Sequence, residues 1–378
     1  MNCSIFIASS VRESIIFGKS PGLGQSGGEM NKQNARNTNA DDRFIARLIS
    51  QTRGKFGIPA IAVVVMNSSG FQTVQIEGNR IHDDDTPVTI NDFFHIGSCS
   101  KSVLAMVAAK LIDEKKLNWE TGFFELFPEL KKDALEQYHP ITLEDLLLCE
   151  AGIKPYTGSD EKFPQIRSKS KNPQMDFIKY LLQLDPASTP KASGNFPHLY
   201  SNASYTLASA MLEKTAGKNY PEMIKTTFDD LGWQTHIGWP NNLSPDQPWG
   251  HMVSPKQTMK FPPAHEYKLP ELIAPAGDIS MKPLDFAAYI LMYLQGLRGE
   301  QTYLSAKNCQ AIHFAYPGFA LGVGNSKMDD MRFSVINGSA GTFFTQAVIF
   351  PDQDFAFTIM MNAGSGAAQM PAVEWMTA

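Results

Sequence analysis

Phe94-His95-Ile96-Gly97-Ser98-Cys99-Ser100-Lys101, running on into Ser102-Val103-Leu104-Ala105-Met106-Val107-Ala108-Ala109-Lys110-Leu111-Ile112, is the stretch that decides the fold. Its first residues read as the end of a short apolar strand, then a glycine that lets the chain turn tightly. The apolar run that follows reads as a helix over about residues 98–116. Ser98 and Lys101 stand three residues apart, nearly one helical turn, so their side chains face the same way. A serine hydroxyl is a poor nucleophile until a base takes its proton. A lysine one turn away, partly desolvated, can serve as that base or as a relay. The helix N-terminus also turns free N–H groups and its positive dipole end toward the serine, where negative charge builds when an acyl carbon is attacked. Ser-x-x-Lys alone is a weak pattern, since a serine that opens a helix is usually just an N-cap. Strand, sharp turn and helix together make it specific.

Working outward, the 378 residues allow one large domain or two interleaved ones. A hydrophobic content of 43% with 19% charged residues is that of a soluble globular chain. The net charge of −5 argues against a nucleic-acid or anionic-membrane partner. No apolar run approaches the roughly 18 residues of a membrane span. Cys3, Cys99, Cys149 and Cys309 are widely spaced and form no Cys-x-x-Cys pair, so no disulfide framework is expected. Cys99, next to Ser98 on a helix, points about 100° away and is expected to be a small buried filler. The histidines form no close ligand pair. No metal, nucleotide or redox cofactor is implied, and the oligomeric state is left open.

Residues 1–40, rich in Ser, Gly and Asn, are expected to be disordered. No secretory signal is readable in them, which makes the cytoplasm the default expectation and the periplasm the expectation if the start lies elsewhere. Met30 is a candidate start. Gly22-x-Gly24-x-x-Gly27 and Gly24-x-Ser26-x-Gly28 copy a dinucleotide fingerprint and a nucleophile elbow, but neither has a strand before it and a helix after. Order is expected from Asp41, in an acid-capped amphipathic helix through Ile49. Ile58–Met66 reads as a buried strand and Phe71–Glu77 as its hairpin partner. A mostly helical middle runs from about 117 to 300, broken by Pro- and Ser-rich loops at 153–174, 185–198 and 239–270. Strands return at Phe319–Gly324, Arg332–Asn337, Phe343–Phe350 and Phe355–Asn362, and Ala367–Ala378 reads as a short closing helix. The expected fold is therefore α+β: one domain over 41–378, with an antiparallel sheet built from about 41–116 and 300–378, flanked by helices, and a mostly helical insert over 117–300.

A second motif, Tyr200-Ser201-Asn202, precedes the amphipathic run Ala203–Glu213. Residues i and i+2 of an extended loop point to one side. A phenol near an ammonium can act as a base, and an asparagine amide can bind a substrate carbonyl or orient the lysine. Taken alone, the blander reading is a loop anchor and a helix cap.

Together, Phe-x-Ile-Gly-Ser-x-Ser-Lys-Ser and, about a hundred residues on, Tyr-Ser-Asn-x-x-Tyr-x-Leu resemble the serine β-lactamase and penicillin-binding-protein superfamily. The likeness is greatest to its class C β-lactamase-related branch, which includes class C β-lactamases, D-alanyl-D-alanine carboxypeptidases, D-aminopeptidases and family VIII esterases. It runs from about residue 41 to 365 and takes in Ile141–Leu148 and Ala274–Met281. The resemblance implies Ser98 as acylated nucleophile, Lys101 as an aid to its deprotonation and Tyr200 as general base and then acid. Asn202 would hold the substrate amide, and the Ser98 N–H would be half of an oxyanion hole.

Two stretches depart from the family pattern. Its third motif, Lys/His-x-Gly, falls on Val335-Ile336-Asn337-Gly338-Ser339-Ala340-Gly341-Thr342. Setting Gly338 on the motif glycine puts Ile336 at the basic position; setting Gly341-Thr342 on a following Gly-Thr puts Gly338 there. Neither register supplies a cation. The first is preferred, with Gly338 against the substrate and the Ser339 N–H completing the oxyanion hole. Cys149-Glu150-Ala151-Gly152 stands where relatives often have His-Thr-Ser-Gly, a segment expected to be structural. A substrate carboxylate would lose a charge-assisted hydrogen bond worth about 1.5–3 kcal/mol. The expected activity is thus a serine hydrolase with an acyl-enzyme on a small-molecule or peptide substrate: an ester or amide, whether β-lactam, D-amino-acid peptide or small ester. The alternative is a catalytically impaired ligand-binding or scaffold member of the same fold.

Overall fold

The computed structural model describes residues 29–157, 162–164, 170–191 and 195–364. The first helix, α1, spans Glu29–Phe56 and so begins before the expected Asp41. The expected closing helix at 367–378 lies outside the described residues, as do residues 1–28.

Twelve strands follow in the order β1 (Ala60–Asn67), β2 (Gly70–Gly78), β3 (Phe94–His95), β4 (Thr235–Ile237), β5 (Gly250–Val253), β6 (Thr258–Phe261), β7 (Ile279–Met281), β8 (Phe319–Ala320), β9 (Val323–Met328), β10 (Met331–Ser339), β11 (Phe344–Phe350) and β12 (Phe355–Met361). The large sheet runs β2-β1-β12-β11-β10-β9-β8, so the two ends of the chain meet at its centre. There β1 pairs antiparallel with β12, Ile61 opposite Met361. Side chains alternate between faces along each strand. Ile61, Val63, Val348, Phe357 and Ile359 bury one face together with Ile45 and Ile49 of α1. Ala62, Val64, Ile336, Ala347, Ala356 and Met360 bury the other in the main core.

Among the helices packed in that main core are α2 (Ser100–Asp113), α3 (Asn202–Ala216) and α4 (Pro283–Leu297). α4 starts with proline in its first turn, where the missing N–H costs nothing. Although it falls within the expected helical insert, its Gln295 amide donates to Ser68 O at the β1–β2 turn, 2.9 Å away, so it packs on the sheet.

Three local expectations change. The expected strand Phe319–Gly324 breaks at Gly322, whose φ of 84° only glycine adopts freely, giving β8 and β9. The expected loop 239–270 contains the β5–β6 hairpin. A second small sheet, order β3-β7-β4, sets β3 directly beside β7. Strands of two or three residues are too short for periodicity to show.

His251 ties this end of the sheet together. It is fully buried, its Nδ1 donates to Asn362 O at 2.8 Å, and its Nε2 accepts from the His82 N–H at 3.0 Å. Burial pushes its pKa down to about 4, and burial pushes buried His313 down to about 3. Both are neutral in the fold while the unfolded chain takes up protons near pH 6.5. Their stabilisation is therefore full above about pH 6.5 and declines as pH falls toward 4, by up to about 1.4 kcal/mol per pH unit for each. The midpoint of thermal unfolding is expected to drop steadily between pH 6.5 and 4, less steeply in His251→Gln. An identical pH slope in that variant would remove His251 from this account.

Candidate active site

The turn that carries Ser98 is built from short-range bonds. Gly97 has φ 51°, in the left-handed region. Gly97–Cys99 form one 3-10 turn, and α2 itself begins at Ser100 rather than at Ser98. The Ser100 hydroxyl donates to Gly97 O at 2.7 Å and the Ser102 hydroxyl to Cys99 O at 2.8 Å. Cys99 is fully buried, and that burial pushes its thiol pKa far up, so it stays protonated. Ser98 remains half-exposed at the mouth of the site.

Lys101 is 1% exposed. Its Nζ lies 3.2 Å from Ser98 Oγ, 2.7 Å from Asn202 Oδ1 and 2.8 Å from Ala276 O. An ammonium has three protons, and here three oxygens receive them. A neutral amine would give its two protons to Asn202 and Ala276 and turn its lone pair to the Ser98 hydroxyl. The same geometry thus suits both ends of a proton transfer.

Asn202 reaches Lys101 because it is not the cap of α3. Ser201 is, accepting from the Ser204 N–H at 3.0 Å. Asn202 is therefore the first helical residue instead of part of an extended loop. Its Nδ2 donates to Tyr156 O at 2.9 Å. Tyr156 has φ 49°, a left-handed conformation costly for a non-glycine residue. The Lys101 ammonium also lies over the Tyr200 ring, 4.6 Å from its centroid, and 5.3 Å from that of Tyr205. Cys149 braces this loop: its Sγ accepts from the Ser201 N–H at 3.4 Å, and burial pushes its pKa up to about 11.

The third side of the site is the end of β10. A Cβ on Gly338 would come within 2.5 Å of Ser98 N and 2.6 Å of Cys99 N. One on Gly97 would come within 2.6 Å of Ser339 N. The two backbones touch because both residues lack side chains. This places Gly338 against the Ser98 backbone. Ile336, on the same face two residues back, is 2% exposed, and no cation stands there. The Ser339 hydroxyl is turned away, donating to Phe343 O at 2.7 Å.

Ala276, His95 and Asp278 were not found by sequence reasoning. His95 is fully buried; its Nε2 is 3.1 Å from Asp278 Oδ1, and its Nδ1 accepts from the Gly97 N–H at 3.2 Å. Trp239 lies buried against the His95 ring, centroids 4.2 Å apart. The Tyr267 hydroxyl packs on Gly341. Among the described residues no group of three or more His, Cys, Asp or Glu is placed to hold a metal, and no helix is long and apolar enough to cross a membrane.

Comparison with known proteins gives the family and the fold. The Beta-lactamase family model matches residues 45–374, and the chain belongs to that family. Its fold is shared with the octameric penicillin-binding protein homologue from Pyrococcus abyssi, at TM-score 0.69 and 17% identity, covering 88% of this chain and 76% of that one. It is shared equally with a class C beta lactamase from Rhodobacter sphaeroides, at TM-score 0.65 and 17% identity, covering 88% and 97%. A curated relative, "Unguisins hydrolase ungD'" of Aspergillus campestris, is 23% identical over 194 residues, 47% of this chain. The match spans about a third of that relative's length, 32%.

The Gly338 contact has a direct test. Gly338→Ala must push two backbones apart and is expected to cost about 1–3 kcal/mol. Gly54→Ala, inside α1 with nothing within 4 Å of the new methyl, is expected to gain up to about 1 kcal/mol. Denaturant titration of both variants checks this; equal stability would mean that β10 does not press on the turn.

Proposed function

We propose that this protein is a serine hydrolase that works through an acyl-enzyme on Ser98. The observation that carries the reading is the Lys101 ammonium, buried and bonded at once to Ser98, Asn202 and Ala276. A buried charge is retained only where it is fully paired, and here one of its three bonds goes to the half-exposed hydroxyl.

In the proposed reaction Ser98 Oγ attacks the carbonyl carbon of an ester or amide. Its proton passes to Lys101 in its neutral-amine form or to Tyr200 in its phenolate form, the Tyr200 ring lying against Lys101 Nζ; where Lys101 takes it, that proton replaces the one Tyr200 later gives up. The carbonyl π electrons move onto oxygen, which the Ser98 and Ser339 N–H groups receive. As the tetrahedral centre collapses, the bond to the leaving group breaks and Tyr200 returns a proton to it. Water then enters by the same route, with the second collapse freeing the acid and Ser98. Asn202 orients Lys101 and keeps one amide proton for a substrate carbonyl, and Gly338 lets the substrate lie against β10.

The substrate class proposed is an ester or amide, including β-lactams, D-amino-acid peptides and small esters. Ile336 weighs toward substrates without a carboxylate at that point. The Aspergillus relative's designation as a hydrolase favours turnover over simple binding. The cation-free third motif favours the opposite, a binding protein without catalysis.

A fluorophosphonate probe separates the two. Label is expected on Ser98 in the intact protein and absent from Ser98→Ala. Lys101→Met is expected to slow labelling by about a hundredfold or more. Folded protein that binds a substrate ester yet takes no label would establish the binding reading in place of hydrolysis.

A further inference from the structure

His95 sits three residues before Ser98, and its ring contacts are unusually determinate. The Gly97 N–H is a donor and faces Nδ1, so Nδ1 must carry the lone pair. The single ring proton is then on Nε2, directed at Asp278 Oδ1. Only this tautomer satisfies both partners. The Trp239 indole covers the ring and is itself fixed by donation to Thr342 Oγ1 at 2.8 Å. Ala276, whose carbonyl holds Lys101, and Asp278, which holds His95, are two residues apart in one segment. That segment therefore grips the general-base candidate and the nucleophile turn together.

We infer that His95, clamped by Asp278, is a positioning residue for the Gly97–Ser98 turn, which it holds through the bond its Nδ1 accepts from the Gly97 N–H. Replacing the ring by an apolar side chain would take that acceptor away from Gly97. The turn would lose the bond that holds the Ser98 N–H toward the proposed oxyanion site.

The charged and titratable groups around the pair are few. His236, from β4, has its own pKa lowered, by burial first, with Asp278 opposing and His95 a further cause. Lys268 and Tyr220 face Asp278. Of these only Asp278 bonds to the ring.

The inference rests on the hydrolase reading for its kinetic test but not for its structural one. Full-length protein with 15N-labelled histidine, assigned with His95→Asn, is expected to show His95 as the Nε2–H tautomer. In uniformly 15N-labelled protein the Gly97 amide resonance should shift in His95→Leu and stay near its wild-type position in His95→Asn. An Nδ1–H tautomer, or a Gly97 amide unmoved in His95→Leu, would overturn the inference even if the protein hydrolyses nothing.

The kinetic arm uses p-nitrophenyl acetate. His95→Leu is expected to lower kcat roughly 10- to 100-fold with KM within about twofold, short of the 10²–10³ that loss of an oxyanion donor itself brings. Asparagine accepts from the N–H two residues on without titrating. His95→Asn should thus recover most of that loss. Equal kcat in the leucine and asparagine variants would reduce the pair to scaffolding. Wild-type protein that fails to turn over the ester would instead count against hydrolysis and leave the tautomer result to decide.

Discussion

The ammonium of Lys101 is the interaction on which the rest depends. An unpaired buried charge costs several kcal/mol, and this one is offset by three oxygens. Each comes from a different part of the chain: Ser98 from the turn before α2, Asn202 from the start of α3, Ala276 from the segment before β7. The charge is stable only when all three are in place. Assembly of the site and folding of the helical layer against the sheet are thus one event. The cation also lies between the Tyr200 and Tyr205 rings, which add favourable contact without competing for its protons.

A second constraint is closeness. β10 must press on the nucleophile turn for two peptide N–H groups to border one space, and a side chain at Gly338 or Gly97 would prevent it. The sheet supplies the rigidity: β10 pairs with β11 through Ser339 opposite Phe344, and β11 with β12. Because β12 pairs with β1, the first and last strands stabilise the strand that closes the site.

Much of this was legible in the sequence, for reasons that differ by residue. Ser98 and Lys101 were readable because three residues on a helical turn enforce proximity. The large sheet was readable because its strands are long and apolar. Tyr200 and Asn202 were readable through family likeness, while their exact setting was not: Ser201 takes the cap, which frees Asn202 for Lys101. Ala276 was hidden because its contribution is a carbonyl, which every residue has. His95 and Asp278 were hidden because nothing local joins residues 183 positions apart. The small sheet that unites them, β3 beside β7, is too short to leave a periodic trace. Ile336 was read from the preferred register; it is buried on the Gly338 face of β10.

The central claim is that one buried amine arms Ser98 beside two peptide donors. The most direct measurement is a crystal structure of the protein after reaction with a phosphonate ester. The account predicts a P–O bond to Ser98 Oγ, the phosphonyl oxygen within about 3 Å of both Ser98 N and Ser339 N, and Lys101 Nζ still held by Asn202 and Ala276. A phosphonate bound elsewhere, or a Lys101 side chain swung away from Ser98 into solvent, would contradict it.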